Sequence, residues 1–191
     1  MIMLLMLTAV SSFILGMGLT SIPCYILLAV LVAPALEKMG APAVAAHLFV
    51  FYFGIISFIT PPVAIAAFVA AAIAESSSWK TGWTATRLAL VTFIVPFAFM
   101  YDRGLLLQGS VFQIVVACTT AVIGTICIAS GQQRYSFFIG RLQTVQAVLF
   151  FLGGIFLIFS GWHNIIGTAL VLSGIGLKVF LKPAFFAVNG K

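Results

Sequence analysis

Two short clusters of glycine, proline and hydroxyl residues interrupt a sequence that is otherwise strongly apolar. The first occupies residues 15–24 and the second occupies residues 59–63, with Ser57 just before it. Hydroxyl and carbonyl oxygens are suitable ligands for a small hard cation such as Na⁺, and the amino ends of short helices favour a carboxylate. The candidate cation- and substrate-binding residues are Gly16, Gly18, Thr20, Ser21, Ser57, Thr60, Pro61 and Pro62. Among them, the candidate Na⁺ ligands are Thr20, Ser21 and Thr60.

The apolar surroundings of these clusters decide how they are interpreted. Inside hydrocarbon, a backbone N–H or C=O group without a partner is costly, and Pro61 and Pro62 remove two N–H donors. Broken helices persist in membranes where the freed groups line a cavity or bind a ligand, and paired breaks are typical of transporter binding sites. We therefore interpret the two clusters as two walls of one site. The alternative is that glycine and proline only kink two helices that pack against each other.

Enzymatic chemistry finds no support in the sequence. There is no Ser/His/Asp or Cys/His arrangement, no paired carboxylates and no glycine-rich phosphate loop. Cys24, Cys118 and Cys127 lie in apolar segments without metal-ligand spacing, which favours simple packing, and no cofactor is expected beyond a small hard cation such as Na⁺. His47 begins an aromatic stretch, and a packed or interfacial histidine is favoured over a proton relay.

The amino-acid composition places the chain in a membrane. Of its 191 residues, 63% are hydrophobic and 6% are charged, and the mean hydropathy is +1.28. No soluble domain of this size covers its surface with so few charges. The apolar stretches are continuous and do not alternate, so the predicted fold class is an all-α integral membrane protein. The net charge of +6 comes from scattered basic residues, which argues against nucleic acid as a partner and leaves the lipid bilayer.

The spacing of the apolar segments predicts the first region, residues 1–108. Two apolar arms, over residues 1–15 and 24–36, flank the break in the first cluster, and each is shorter than the roughly 20 residues that cross a bilayer as a helix. This favours a re-entrant helical hairpin over residues 1–38, with a single kinked span as the alternative. A discontinuous transmembrane helix over 44–74, broken at 59–62, and a helix over 82–101 should follow.

Residues 109–191 are predicted to form a three-helix membrane extension. Its spans lie at residues 110–130, 145–160 and 165–181. About four transmembrane helices therefore follow the hairpin and the discontinuous helix.

The basic residues predict the orientation of the chain. A hairpin returns to the side from which it enters, and alternating crossings then place seven basic residues on one face and two on the other. The seven are Lys80, Arg87, Arg134, Arg141, Lys178, Lys182 and Lys191, and the two are Lys38 and Arg103. Because basic residues collect in the cytoplasm, we expect a multi-pass membrane protein with the hairpin outside and the C-terminus cytoplasmic.

Several motifs resemble the large membrane subunit of TRAP transporters. They are GMGL at residues 16–19, YILLA at 25–29, APAL at 33–36, AAHLFVFYF at 45–53, ITPPV at 59–63 and KTGW at 80–83. The pattern is most similar to the fused permease that works with TAXI-type binding proteins, and it covers about residues 10–107. Residues 20–23 read TSIP where related chains often have a proline followed by two threonines.

The resemblance implies a function. The family couples inward Na⁺ movement to the uptake of organic acids, which an extracytoplasmic solute-binding protein delivers. Its transport domain holds two inverted repeats, and residues 1–62 resemble the second hairpin and its broken helix. The expected partners are that binding protein and the rest of the permease, namely the first repeat and helices like those of the small subunit. The chain is then the C-terminal part of a permease, a fragment that is not active alone.

Two alternatives remain open on the sequence. The first is a small transporter that acts as an antiparallel homodimer, although the charge asymmetry argues against dual topology. The second is a non-transporting membrane scaffold or assembly protein, in which both breaks are packing kinks.

Overall fold

The computed structural model describes residues 2–137, 139–159 and 161–188, with the backbone alone for 178–188. The chain is mainly helical, and it divides into an N-terminal unit, Met1–Leu106, and a C-terminal unit, Leu107–Lys191. Met1 of the predicted hairpin and residues 189–191 of the predicted cytoplasmic tail lie outside the described residues, as do the side chains of Lys178 and Lys182.

Short helices separated by tight breaks form the N-terminal unit. They are α1 (Ile2–Gly16), α2 (Ser21–Leu31), α3 (Ala33–Lys38), α4 (Ala43–Ile56), α5 (Ile65–Ile73), α6 (Ser78–Leu88) and α7 (Leu90–Tyr101), with 3-10 turns at Ser57–Ile59 and Arg103–Leu106. Helix α4 packs against α1, α2, α3 and α7 and supplies the centre of this unit. Phe49 is fully buried, and its ring and that of Phe53 lie edge-to-face on Phe97 at centroid distances of 5.2 and 5.8 Å. Such ring pairs add to the stabilisation from apolar burial.

Local sequence explains the discontinuity between α4 and α5. Pro61 and Pro62 lack N–H groups, so the hydrogen-bond ladder of α4 cannot continue through them. The chain instead makes the 3-10 turn, and Ala64, with a left-handed φ of 39°, precedes the first residue of α5. The helix predicted over 44–74 is therefore present as two helices. We refer to residues 57–64, which join them, as the break.

Candidate membrane-spanning segments occur among the described residues. Three segments are long and apolar enough to cross a bilayer, namely Ser21–Lys38, Ser78–Tyr101 and Val111–Gln133. Shorter apolar helices occupy Ile2–Gly16, Ala43–Ile59, Thr144–Ile158 and His163–Leu177. These lengths and compositions agree with the predicted all-α membrane class.

The two arms predicted for the hairpin are both helical, but the second is longer than expected. It runs as α2 and α3 from Ser21 to Lys38, with a bend at Val32 just before Pro34. The apolar pattern covers only residues 24–36. The helical arm also includes residues 21–23 and the charged Glu37 and Lys38, which that pattern does not detect. At 18 residues this arm is long enough to cross a bilayer, so the re-entrant geometry stays a prediction.

The helix predicted over 82–101 differs more clearly. It begins four residues earlier, and it is interrupted at Ala89 (φ −85°, ψ 11°), where α6 ends and α7 begins. The Thr92 N–H donates to the Ala89 carbonyl at 2.9 Å, which is the tighter spacing of a turn. The polar α6 and the apolar α7 are therefore separate elements.

In its described residues, the C-terminal unit contains three longer helices and one short strand pair. They are α8 (Val111–Gln133), β1 (Tyr135–Ser136), β2 (Gly140–Arg141), α9 (Thr144–Ile158) and α10 (His163–Val188). Helix α9 packs against both α8 and α10. Gly124 and Gly154 permit the first contact, since a Cβ on either would come within 2.7 Å of the other's carbonyl oxygen. The strand pair lies in a polar stretch for which hydropathy predicts no regular structure.

Candidate cation- and substrate-binding site

The break buries its two hydroxyl residues, Ser57 and Thr60, which are 0% and 8% exposed. Ser57 Oγ donates to the Gly54 carbonyl oxygen at 2.6 Å, and Thr60 Oγ1 donates to the Ile56 carbonyl oxygen at 2.9 Å. Both carbonyls belong to the last turn of α4, where helical N–H partners run out. A hydroxyl that donates one hydrogen bond keeps two lone pairs, so both oxygens remain able to coordinate a cation.

Gly16, at the end of α1, lies directly against the start of the break. A Cβ placed on Gly16 would overlap the Gly54 carbonyl oxygen and would lie 2.8 Å from Gly54 Cα and 2.9 Å from Ser57 Oγ. Only glycine permits this approach of two backbones. The structure thus brings together the first and second clusters through Gly16 and Ser57.

Ser12 adds a further oxygen to this face of α1. It lies one turn before Gly16, its side chain is 0% exposed, and its Oγ has no hydrogen-bond partner among the described residues. Residues four apart lie on the same face of a helix, so Ser12 and Gly16 share the face that packs on α4. A buried hydroxyl without a hydrogen-bond partner is uncommon, and a bound ligand could supply the interaction that it lacks.

The tip between α1 and α2 presents its polar residues outwards. Gly18, Thr20 and Ser21 are not buried, and a Cβ on Gly18 would meet nothing within 4 Å. Thr20 precedes α2 in an extended conformation, and its side chain caps no helical N–H. No hydrogen bond between described residues joins Thr20 or Ser21 to Ser57 or Thr60. The hydroxyls predicted to bind one ion are therefore divided into an exposed pair and a buried pair.

Helix α6 supports the break from its other side. A Cβ on Gly82 would lie 3.0 Å from Pro61 Cγ and 3.0 Å from Phe68 of α5, so α6 packs closely on both. Thr86 Oγ1 donates to the Ile59 carbonyl oxygen at 3.3 Å, across 27 residues of sequence, and to Gly82 of its own helix at 3.0 Å. Pro61 is buried and Pro62 is exposed.

The arrangement offers oxygens and no other metal ligands. No group of three or more His, Cys, Asp or Glu side chains that could hold a metal ion occurs in the part of the chain that the structure describes. Neutral hydroxyl and carbonyl oxygens suit an alkali cation, which gains ligands without requiring the burial of a carboxylate. The break can therefore either bind a small hard cation or serve only as a packing contact between helices.

A separate group of polar side chains, Tyr25, Glu37 and His47, joins α2, α3 and α4. The Tyr25 hydroxyl lies 3.1 Å from His47 Nδ1, and His47 Nε2 lies 3.2 Å from Glu37 Oε1. With the proton on Nε2, the imidazole donates to Glu37 and accepts from Tyr25. His47 is 35% exposed and borders an open pocket of about 430 Å³ with Phe51 and Leu48. The sequence suggests a packed or interfacial histidine, and it gives no indication of these two partners.

Sequence reasoning missed several residues around the break and in the group formed by Tyr25, Glu37 and His47. Gly54 carries a signal, because an isolated glycine in an aromatic helical stretch often reflects close packing, here against Cys24 and Leu28 of α2. Ser12 also carries one, as one of three hydroxyl residues within a mainly apolar helix. Thr86 and Glu37 carry none, since their partners are 27 and 10 residues away without any regular spacing.

Comparison with known protein families places this geometry in context. A family model described as "Tripartite ATP-independent periplasmic transporter, DctM component" matches residues 1–114 of the 191. The matched stretch includes the whole N-terminal unit, and with it every candidate binding residue. No curated protein and no solved structure matches the chain.

Proposed function

Because the chain belongs to the DctM family of tripartite ATP-independent periplasmic transporters, we propose that its N-terminal unit forms one cation- and substrate-binding half-site of a Na⁺-coupled importer of organic acids. Membership confirms the resemblance to the large TRAP subunit. Membership of this family implies that the chain is a multi-pass membrane component of a transporter and not an enzyme. It also implies association with a small subunit and a solute-binding protein. Na⁺ coupling and organic acids belong to the proposal.

The observation that carries the proposal is the close approach of Gly16 to Gly54 and Ser57. At this contact two buried hydroxyl oxygens are available, Ser57 with its free lone pairs and Ser12 without any partner among the described residues. Thr60 adds a third hydroxyl, bonded to the same last turn of α4. We propose that Na⁺ binds at this end of α4, where Ser57 and Thr60 coordinate it and Pro61 keeps the break open.

The exposed tip is the second part of the proposed site. Pro23 has no N–H group and the Cys24 N–H bonds to Thr20 O, so Ser21 and Ile22 offer the first N–H groups of α2. With the hydroxyls of Thr20 and Ser21, and Gly18 allowing close approach, this end of α2 suits the carboxylate of an organic acid. Thr20 and Ser21 then serve the substrate, or a second Na⁺ that accompanies it.

The remainder of the machinery is proposed from the family. The first inverted repeat would complete the site, helices like those of the small subunit would support it, and an extracytoplasmic solute-binding protein would deliver the substrate. The hairpin then faces outwards from the bacterial inner membrane, with the C-terminus in the cytoplasm, as the distribution of basic residues supports.

A threonine substitution tests the cation site. Uptake is measured against Na⁺ concentration in proteoliposomes that hold the transporter assembled with this chain and its binding protein. Thr60→Val preserves the branched shape and removes the oxygen, so half-maximal activation should shift to a Na⁺ concentration about 5- to 150-fold higher. Thr60→Ser restores the oxygen and should restore most of the activation.

The matched control is Thr119→Val on α8, where the side chain is exposed and distant in sequence from the break. It should leave the Na⁺ dependence unchanged. If Thr60→Val lowers the thermal stability while the Na⁺ activation curve stays in place, the hydroxyl only caps α4. The break is then a packing kink, as expected for a scaffold protein.

A further inference from the structure

One side chain of α4, His47, contacts the second arm of the hairpin near both of its ends. The Tyr25 hydroxyl, in the second turn of α2, lies 3.1 Å from His47 Nδ1. Glu37 Oε1, in the last turn of α3, lies 3.2 Å from His47 Nε2. The arm bends at Val32, between these two contacts. A single imidazole therefore connects two distant points of the arm to α4.

The two contacts of His47 depend on each other through its tautomer. A carboxylate oxygen only accepts hydrogen bonds, so the contact with Glu37 requires the proton on Nε2. In the neutral imidazole that tautomer leaves Nδ1 as an acceptor for the Tyr25 O–H. Without Glu37, the ring would be free to rotate and to adopt the other tautomer. Glu37 therefore selects the form of His47 that accepts from Tyr25.

The ring of Tyr25 is held by the same helix. It lies edge-to-face on Phe51 with centroids 5.4 Å apart, and edge-to-face on the His47 imidazole at 6.0 Å. Phe51 follows His47 by four residues, so both rings project from one face of α4. Tyr25 likewise follows Ser21 by four residues and shares a face of α2 with it. The position of Tyr25 on α4 therefore sets the position of the first turn of α2 and of the tip before it.

The apolar contacts of α2 do not set this position alone. Leu28 and Cys24 are buried against Gly54, where a Cβ would lie 3.0 and 2.9 Å from their side chains. Apolar burial is non-directional, whereas a hydrogen bond has a preferred distance and angle. The contact of Tyr25 with His47 therefore adds the orientation that packing leaves open.

From these contacts we propose that Glu37, His47 and Tyr25 act as one unit that positions the tip of the hairpin relative to α4. Glu37 orients the imidazole, the imidazole holds Tyr25, and Tyr25 fixes the end of α2 that follows Thr20 and begins at Ser21. What the tip binds belongs to the proposed function, on which this inference rests for its role in transport. The positioning itself depends on contacts within the chain and is measured without a substrate.

Hydrogen–deuterium exchange of the Cys24 amide reports how firmly the first turn of α2 is held, because this N–H donates to Thr20 O at 2.9 Å. The whole chain is placed in lipid nanodiscs without Na⁺ or an organic acid. Tyr25→Phe keeps the ring on Phe51 and removes the hydroxyl, so exchange should become about 2- to 12-fold faster, as for the loss of one hydrogen bond. His47→Phe should have an effect at least as large.

Conservative variants distinguish positioning from a general loss of stability. Glu37→Gln keeps an acceptor oxygen and should keep the slow exchange of Cys24, whereas Glu37→Leu should lose it. The matched control is Tyr52→Phe on α4, where the ring packs on Phe99 of α7 with centroids 5.6 Å apart, and it should leave the exchange unchanged. Equal acceleration in Tyr52→Phe and Tyr25→Phe, or no acceleration in Tyr25→Phe, would overturn the proposal.

A double-mutant cycle tests whether the three side chains act as one unit. In a chain that carries His47→Phe, adding Tyr25→Phe should accelerate the exchange no further, because the acceptor is already absent. Additive effects would mean that the Tyr25 hydroxyl has another anchor, and they would overturn the proposal. The cation site is tested separately, since an unchanged Na⁺ activation curve in Thr60→Val would overturn the proposed function and leave this exchange result in place.

Discussion

Gly16 and Gly18 are two residues apart, yet their surroundings are opposite. Gly16 lies where α1 meets Gly54 and Ser57, with no room for a methyl group. Gly18 lies at the exposed tip, where a Cβ would have no neighbour within 4 Å, and its φ is not positive. The glycine motif at residues 16–19 therefore contains one residue required by packing and one that packing leaves free.

This difference gives a prediction at the residue scale. Gly16→Ala should lower the free energy of unfolding by about 1–3 kcal/mol, because the new methyl group forces α1 away from the break. Gly18→Ala should change it by less than about 0.5 kcal/mol or raise it slightly, since alanine restricts the unfolded chain. Denaturant titration of both variants in detergent measures the two values, and similar losses for both would contradict the contact between α1 and α4.

At the scale of elements, α6 acts as a brace for the break. Its Thr86 hydroxyl satisfies the Ile59 carbonyl, which has lost its helical partner where α4 gives way to the 3-10 turn. Gly82 lets the two elements approach closely enough for that bond. The geometry of the proposed cation site therefore depends on a helix that contributes no ligand to it.

Thr86 and Thr84 form a matched pair for testing this brace. Thr86→Val leaves the Ile59 carbonyl without its side-chain donor and should destabilise the break by about 0.5–1.5 kcal/mol. Thr84 is exposed and bonds to Lys80 O of its own helix at 2.8 Å, so Thr84→Val should have little effect. Hydrogen–deuterium exchange of the Thr60 and Ala64 amides reports the difference, and unchanged exchange in Thr86→Val would show that α6 does not hold the break.

At the scale of the whole molecule, the distribution of charge predicts one topology. Ser77 and Gln133 flank segments that should end in the cytoplasm, and Met39 follows the second arm of the hairpin on the predicted outer side. All three are exposed in the structure. Their accessibility therefore tests the predicted orientation without disturbing either unit.

Single cysteines at these positions should label from opposite sides. In variants that lack the natural cysteines, Met39→Cys should react with an impermeant maleimide in intact cells. Ser77→Cys and Gln133→Cys should react only after permeabilisation, because the basic residues near them favour the cytoplasm. Labelling of Ser77→Cys in intact cells would contradict the predicted orientation.

Local chemistry explains what was predictable. The apolar composition was sufficient for the all-α membrane class, because so few charges cannot cover a soluble surface. Pro61 and Pro62 were sufficient to locate the break, because two consecutive prolines remove two adjacent N–H donors from the helical hydrogen-bond ladder. Motifs between residues 16 and 83 were sufficient for the family. Each of these inferences depends on properties that a residue carries with it, whatever surrounds it.

Tertiary packing decided the rest. Three contacts depend on the register at which one helix lies along another. They are the contact of Gly16 with the break, the hydrogen bond from Thr86 to the Ile59 carbonyl, and the pairing of Glu37 with His47. That register is set by the summed packing of side chains such as Phe49, Phe53 and Phe97, and no short sequence pattern contains it. The sequence alone therefore determined the membrane class, the family and the position of the break, whereas only the fold determined which oxygens meet there.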